Sequence, residues 1–265
     1  MDNQADVFRD RPVTDTGTGP APMRWWVMLL QVLAVMVAYL IASMLPVIPA
    51  MVKQVQNPES ELVLTSGIAL ASVMASMVGA LLLTWVFLKK EGRVAEVWSF
   101  AIPFTKNRTL ALAGLGLVAT FAIFAVGSIV LQAIGLPPPD ASEVLAWVTE
   151  SPLMFTLWVL GVAMFAAGLG EELLWRGFLM DRLNRVAGLR GRWTLILVIQ
   201  AALFGLPHLY QGLGGVILTA LIGLLFGVIR IMERGSLLAV VLAHAAYDTL
   251  AMSLAYGDAL DWLGG

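Results

Sequence analysis

The sequence predicts an all-α, polytopic helical membrane protein with about seven transmembrane helices. Three observations predict it. Hydrophobic residues make up 59% of the 265 and charged residues only 13%, where a soluble domain carries about 25% charge. Several apolar runs reach the ~20 residues needed to cross a bilayer, and none shows the ~10-residue alternation of a membrane β-barrel. Of the 16 basic residues, all but Lys53 fall in the tail or in alternate connections between those runs, the bias expected of cytoplasmic loops. Cysteine is absent, which excludes disulfides, thiolate catalysis and Cys-ligated zinc.

Residues 1–22 are polar, without apolar periodicity, and read as a disordered cytoplasmic tail. The first span begins at Arg24-Trp25-Trp26, an aromatic belt, and is expected to end near Pro46 and Pro49. The second runs from about Leu62 to Leu88 and stops at Lys89-Lys90. The third covers Thr109 to Ile134 and stops before Pro137-Pro138-Pro139. The fourth opens at Ser151-Pro152, an N-cap and first-turn pair, and continues past Arg176. A short fifth span covers Trp193 to Leu206, the sixth Gly214 to Ile229 and the seventh Ser236 to Tyr256. Two connecting segments read as interfacial helices. Val94, Val97 and Trp98 share one face, as do Val144, Trp147 and Val148. Gly223 and Gly227 form a small-xxx-small pair for close helix packing. The chain thus divides into the tail 1–22, N-terminal membrane helices 23–150, a core 151–256 and a short tail 257–265. Basic residues place the N-terminus in the cytoplasm and the C-terminus outside.

Two adjacent glutamates, Glu171 and Glu172, interrupt the fourth span. Ionisable residues at membrane depth are costly and point to a working site. Counted from the expected cytoplasmic helix ends at 1.5 Å per residue, Glu171 lies about 15 Å deep, His208 about 22 Å, His244 about 12 Å and Asp248 about 18 Å. All four fall in the middle of a ~30 Å hydrocarbon core, and they include both histidines of the chain. Consecutive helical residues diverge by about 100°, so the two glutamates take different roles. Glu172 and Arg176 stand at i and i+4 with the acid first, the favourable order for an ion pair, which assigns them to structure and leaves Glu171 to face a cavity. His244 and Asp248 also stand at i and i+4, placing Asp248 to fix the imidazole tautomer. Gly168 and Gly170 leave room for a backbone or a substrate.

The sequence holds no H-E-x-x-H helix and no G-x-S-x-G elbow. Only Asp248 is an intraspan aspartate, so an aspartyl dyad is excluded. A carboxylate and histidines around water remain, a set suited to general-base activation. A divalent ion held by Glu171, His208, His244 and Asp248 is the alternative use of the same residues.

Glu171-Glu172-x-x-x-Arg176, Phe204-x-x-x-His208 and His244-x-x-x-Asp248 resemble, in order and spacing, the three motifs of the CPBP family, also called Abi or CAAX-protease-like. The resemblance covers about residues 151–256. It implies an intramembrane glutamic endopeptidase that needs no cofactor, with its active site in the C-terminal four-helix core. In that scheme Glu171 activates water, His208 binds that water and relays a proton, and His244 with residue 248 lines the oxyanion site. Glu172, Arg176 and Phe204 support the site. Family members carry Asn or a similar residue where this chain has Asp248, and an ionised Asp cannot donate to an oxyanion. The resemblance further implies membrane lipids and a peptide or membrane-protein substrate, prenylated ones included, as partners, with no nucleic acid. A prokaryotic plasma membrane is the expected location. Some relatives act in bacteriocin immunity, so a non-catalytic immunity or scaffolding protein on the same fold is the competing expectation.

Overall fold

The computed structural model describes residues 21–57, 59 and 62–261. The expected tail 1–22 and the end of the C-terminal tail therefore lie largely outside the described residues. Helices follow one another as α1 (Trp25–Met44), α2 (Ile48–Gln56), α3 (Ser66–Lys90), α4 (Val94–Val97), α5 (Lys106–Ala133), α6 (Ser142–Thr149) and α7 (Pro152–Trp158). A π-wound segment, Val159–Leu179, joins α7 to α8 (Met180–Arg185); α9 (Trp193–Gly205), α10 (Gly212–Met232) and α11 (Leu238–Ala259) complete the chain. Among the described residues there is no strand, only an isolated bridge between Met23 and Val186.

Hydroxyl caps start three of these helices. Thr65 accepts from Ile68 N–H (3.3 Å), Thr105 from Arg108 N–H (3.2 Å) and Ser151 from Met154 N–H (3.2 Å), each meeting a donor that a helix N-terminus leaves free. The first helix ends at Met44, just before its prolines as expected, but the chain stays helical beyond them. Pro46 and Pro49 each sit in the first turn of the next helical segment, where the missing N–H costs nothing, and the helical path runs on from Trp25 to Gln56.

Among the described residues, six helical stretches are long and apolar enough to cross a membrane, and the protein is an integral membrane protein. The longest, Trp193–Met232, is a hairpin. A six-residue 3₁₀ segment, Leu206–Gln211, and Gly212 at φ 81° reverse the chain. The two arms then pack antiparallel. A Cβ at Gly223 would come within 2.9 Å of Ala201 Cα, and one at Gly227 within 2.5 Å of Leu197. This is the close approach expected of the small-xxx-small pair, and the fold-back explains why a sequence reading finds seven segments where continuous helices number six.

Both segments expected at the interface are short helices, and each docks one residue of its apolar face on the protein. Val97 and Val148 are buried, and Trp98 Nε1 donates to Leu173 O at 3.0 Å. The rest of each face, Val94 and Trp98 in one and Val144 and Trp147 in the other, is half-buried.

The π-wound segment packs between α3 and α11, and α11 packs on α5. The main core draws Leu112 and Ala113 from α5, Leu173 from the π segment, Phe204 from α9, Phe226 and Ile229 from α10, and Val240 and Ala243 from α11. So α5, which lies before the 151–256 core, helps enclose the centre that the C-terminal helices build.

Candidate active site

The π-wound segment carries Glu171, Glu172 and Arg176; the hairpin turn carries His208; α11 carries His244 and Asp248. Such widely wound turns are rare and cluster at functional sites. At Gly168 the segment touches α11, where a Cβ would meet Ala245 Cβ at 2.6 Å and Ala245 Cα at 2.9 Å. The absent side chain lets the two backbones close up and brings Glu172 to His244. Gly170 faces Met77 of α3, so neither glycine opens a path for substrate.

The expected Glu172–Arg176 ion pair forms, with Arg176 Nη1 donating to Glu172 Oε1 at 2.9 Å, both side chains fully buried. The same oxygen also lies 2.7 Å from His244 Nδ1. Glu172, not Asp248, therefore sets the imidazole: a carboxylate accepts, so Nδ1 carries the proton. Asp248 was the local candidate by i,i+4 spacing. Its Oδ2 stands instead 3.6 Å from Nε2, the other ring nitrogen, and Glu171 Oε2 stands 4.0 Å from that same nitrogen. These distances exceed a hydrogen bond but hold the charges close. The Glu171 side chain is 24% exposed and that of Asp248 22%, whereas Glu172 is sealed. The two adjacent glutamates face different surroundings, as their angular separation requires.

His208 sits just past α9. Its Nδ1 is 3.1 Å from Phe204 O, a group that only accepts, so the neutral ring carries its proton there and keeps a lone pair at Nε2. Among the described residues His208 makes no ion pair with Glu171, Glu172 or Asp248. Phe204 links the two imidazoles instead, with its ring centroid 5.3 Å from His208 and 6.4 Å from His244. The Arg176 guanidinium stacks over Phe204 at 4.0 Å. Phe204 is thus a hub for the histidines and the buried cation.

Among the described residues, no group of three or more His, Asp or Glu side chains is arranged to hold a metal ion. Sequence reasoning missed the Glu172–His244 bond, which spans 72 positions. It also missed Gln200, buried in α9 one turn before Phe204. A lone amide in an otherwise apolar 13-residue helix was the available signal.

What this arrangement offers is a partly accessible carboxylate, an imidazole anchored through Nδ1 whose Nε2 faces it, and a second imidazole with a free lone pair. No curated protein and no solved structure matches the chain in comparison. Residues 153–250 match the family model of type II CAAX prenyl endopeptidases, Rce1-like, a protease family, and this match spans every residue of the site. The C-terminal part of the chain is a domain of the CPBP/CAAX-protease family.

Proposed function

We propose that the protein is an intramembrane endopeptidase that hydrolyses a peptide bond with water activated by Glu171. The observation that carries this reading is the placement of Glu171 Oε2 4.0 Å from a His244 ring whose other nitrogen is bound by Glu172. Glu171 takes a proton from water, and the water oxygen bonds to the scissile carbonyl carbon. His244, doubly protonated with Nδ1–H on Glu172, turns Nε2–H toward the oxygen that gains charge. The C–N bond then breaks, and the proton passes to the departing amine, with His208 Nε2 holding the water and relaying it. Asp248 acts through charge on His244 and donates nothing itself. No cofactor and no metal enters the scheme.

Because Lys and Arg cluster at one end of the bundle, that end faces the cytoplasm, with the N-terminus inside and the C-terminus outside. The membrane is a prokaryotic plasma membrane. Substrates are peptides or membrane proteins, prenylated ones included.

The test is peptide cleavage by the purified chain in lipid nanodiscs. Glu171→Gln and His208→Ala each lower kcat by about 10²–10⁴-fold while circular dichroism stays unchanged. Full activity in Glu171→Gln overturns the reading. A cellular phenotype that survives Glu171→Gln but not gene deletion points to a non-catalytic immunity or scaffolding role.

A further inference from the structure

Between the π-wound segment, α9 and α10, four polar side chains carry buried atoms that no described protein group meets. They are Glu172 Oε2, Arg176 Nε and Nη2, Gln200 Oε1 and Nε2, and Arg230 Nε. Such atoms are few in a folded protein, and each calls for a partner.

These four are not scattered. The Arg176 guanidinium lies 4.0 Å from the centre of the Phe204 ring and 5.3 Å from that of Phe226. Gln200 stands one turn from Phe204 on α9, and Arg230 one turn from Phe226 on α10. Since the two helices are antiparallel, both steps lead the same way, toward the end of the bundle that holds Arg182 and Arg185. Gly227 keeps the helices close there; a Cβ on it would come within 3.1 Å of Gln200 Oε1. At the inner end Glu172 holds His244 through its other oxygen. At the outer end Arg230 is half-buried and lies within electrostatic reach of Asp181 and Glu172.

The unmet atoms are of both kinds. Glu172 Oε2 and Gln200 Oε1 accept, whereas the Arg176, Arg230 and Gln200 nitrogens donate. An anion serves only the donors, and a cation only the acceptors. Water serves both, and buried water characteristically joins two to four such groups. We infer that a file of ordered water runs from the basic end of the bundle past Arg230, Gln200 and Arg176 to the Glu172–His244 pair. Its use as a supply of hydrolytic water, separate from the path of the substrate, rests on the proposed endopeptidase reading; the hydration itself does not.

The experiment uses the full chain, labelled with ¹⁵N-arginine, in lipid nanodiscs. The Arg176 Nε–H resonance, assigned by its disappearance in Arg176→Lys, shows a cross-peak with water, and Gln200→Leu removes it. In the same preparations Gln200→Leu lowers kcat about tenfold with KM unchanged. Gln200→Met, closer in length and flexibility, gives the same result should the leucine variant fold poorly. The inference is overturned if the native Arg176 Nε–H shows no water cross-peak, if the cross-peak persists in both Gln200 variants, or if chloride titration shifts the resonance and so identifies an anion. If Glu171→Gln leaves cleavage intact while the cross-peak is present, the endopeptidase reading fails and the water file stands.

Discussion

One continuous helical stretch carries two groups of opposite charges, and they are wired differently. In the bundle interior a single oxygen of Glu172 takes both Arg176 and His244, and the second oxygen finds no protein partner. Two turns further on, Asp181 bonds Arg93 and Arg182 at 2.7 Å each, while Glu91 reaches Arg185 at 2.6 Å and Arg182 at 3.0 Å. There, charge is shared over several partners, and Glu91 and Glu96 meet solvent. That outer group ties the α3–α4 turn to α8, a structural job. An incomplete pair sealed in hydrocarbon serves no stability purpose that an apolar pair could not serve as well. The difference lies in how charge is shared: unmet buried atoms occur in both groups, at Arg182 Nε and Nη2 as at Glu172 Oε2, but only the inner group hangs a cation and an imidazole on one fully buried carboxylate oxygen.

The largest effect on folding is expected from Glu172→Ala, which leaves Arg176 and His244 buried without their acceptor and costs about 3–5 kcal/mol. Equilibrium unfolding in mixed micelles measures it. A loss no greater than that at the outer cluster would erase the contrast. Gly168→Ala comes next. Its Cβ would meet Ala245 Cβ at 2.6 Å and the Ala163 carbonyl at 2.8 Å, a clash with backbone that costs about 1–3 kcal/mol. It should also lengthen the Glu172–His244 contact, visible as a changed His244 tautomer by ¹⁵N NMR.

Glu91→Gln tests the outer cluster. It removes about 0.5–1 kcal/mol, with much of that effect screened in 1 M salt; an effect independent of salt would mean that this cluster behaves as a buried one. Glu96→Gln is the smallest. The Glu96 carboxyl is held below its usual range chiefly by the hydrogen bonds from Arg93, opposed by slight burial. Its folded value lies below the unfolded one near 4.3, so its contribution is present above that pH and fades as the pH falls through the folded value. With the side chain 60% exposed, solvent screening holds that contribution under about 0.5 kcal/mol. An unfolding series from pH 7 to pH 3 should show Glu96→Gln flattening only this small acid-side slope.

Much of the architecture was legible residue by residue. Apolar runs and their caps located α3, α5 and the start of α7 within a few positions, because span length and capping are local properties. Pro46 marked the end of α1 at Met44, but not the short helix to Gln56 that follows, since a proline can both close one helix and open the next. The segments 94–98 and 142–149 were legible as short amphipathic helices, but not which residue of each face, Val97 or Val148, the protein would bury. The hairpin at 206–212 was legible as the gap between a span ending at Leu206 and an oppositely directed one starting at Gly214; its 3₁₀ turn was not.

Order, spacing and depth of Glu171, Glu172, His208, His244 and Asp248 are properties of the sequence, because a bilayer forces backbone into helices and a helix turns residue number into depth. Which side chains meet at that depth belongs to the tertiary structure. Local spacing favoured Asp248 as the partner of His244, yet Glu172, 72 positions away, holds the ring. That choice was made by the contact of Gly168 with Ala245, and rotation and separation of neighbouring helices are set by packing that no single segment encodes.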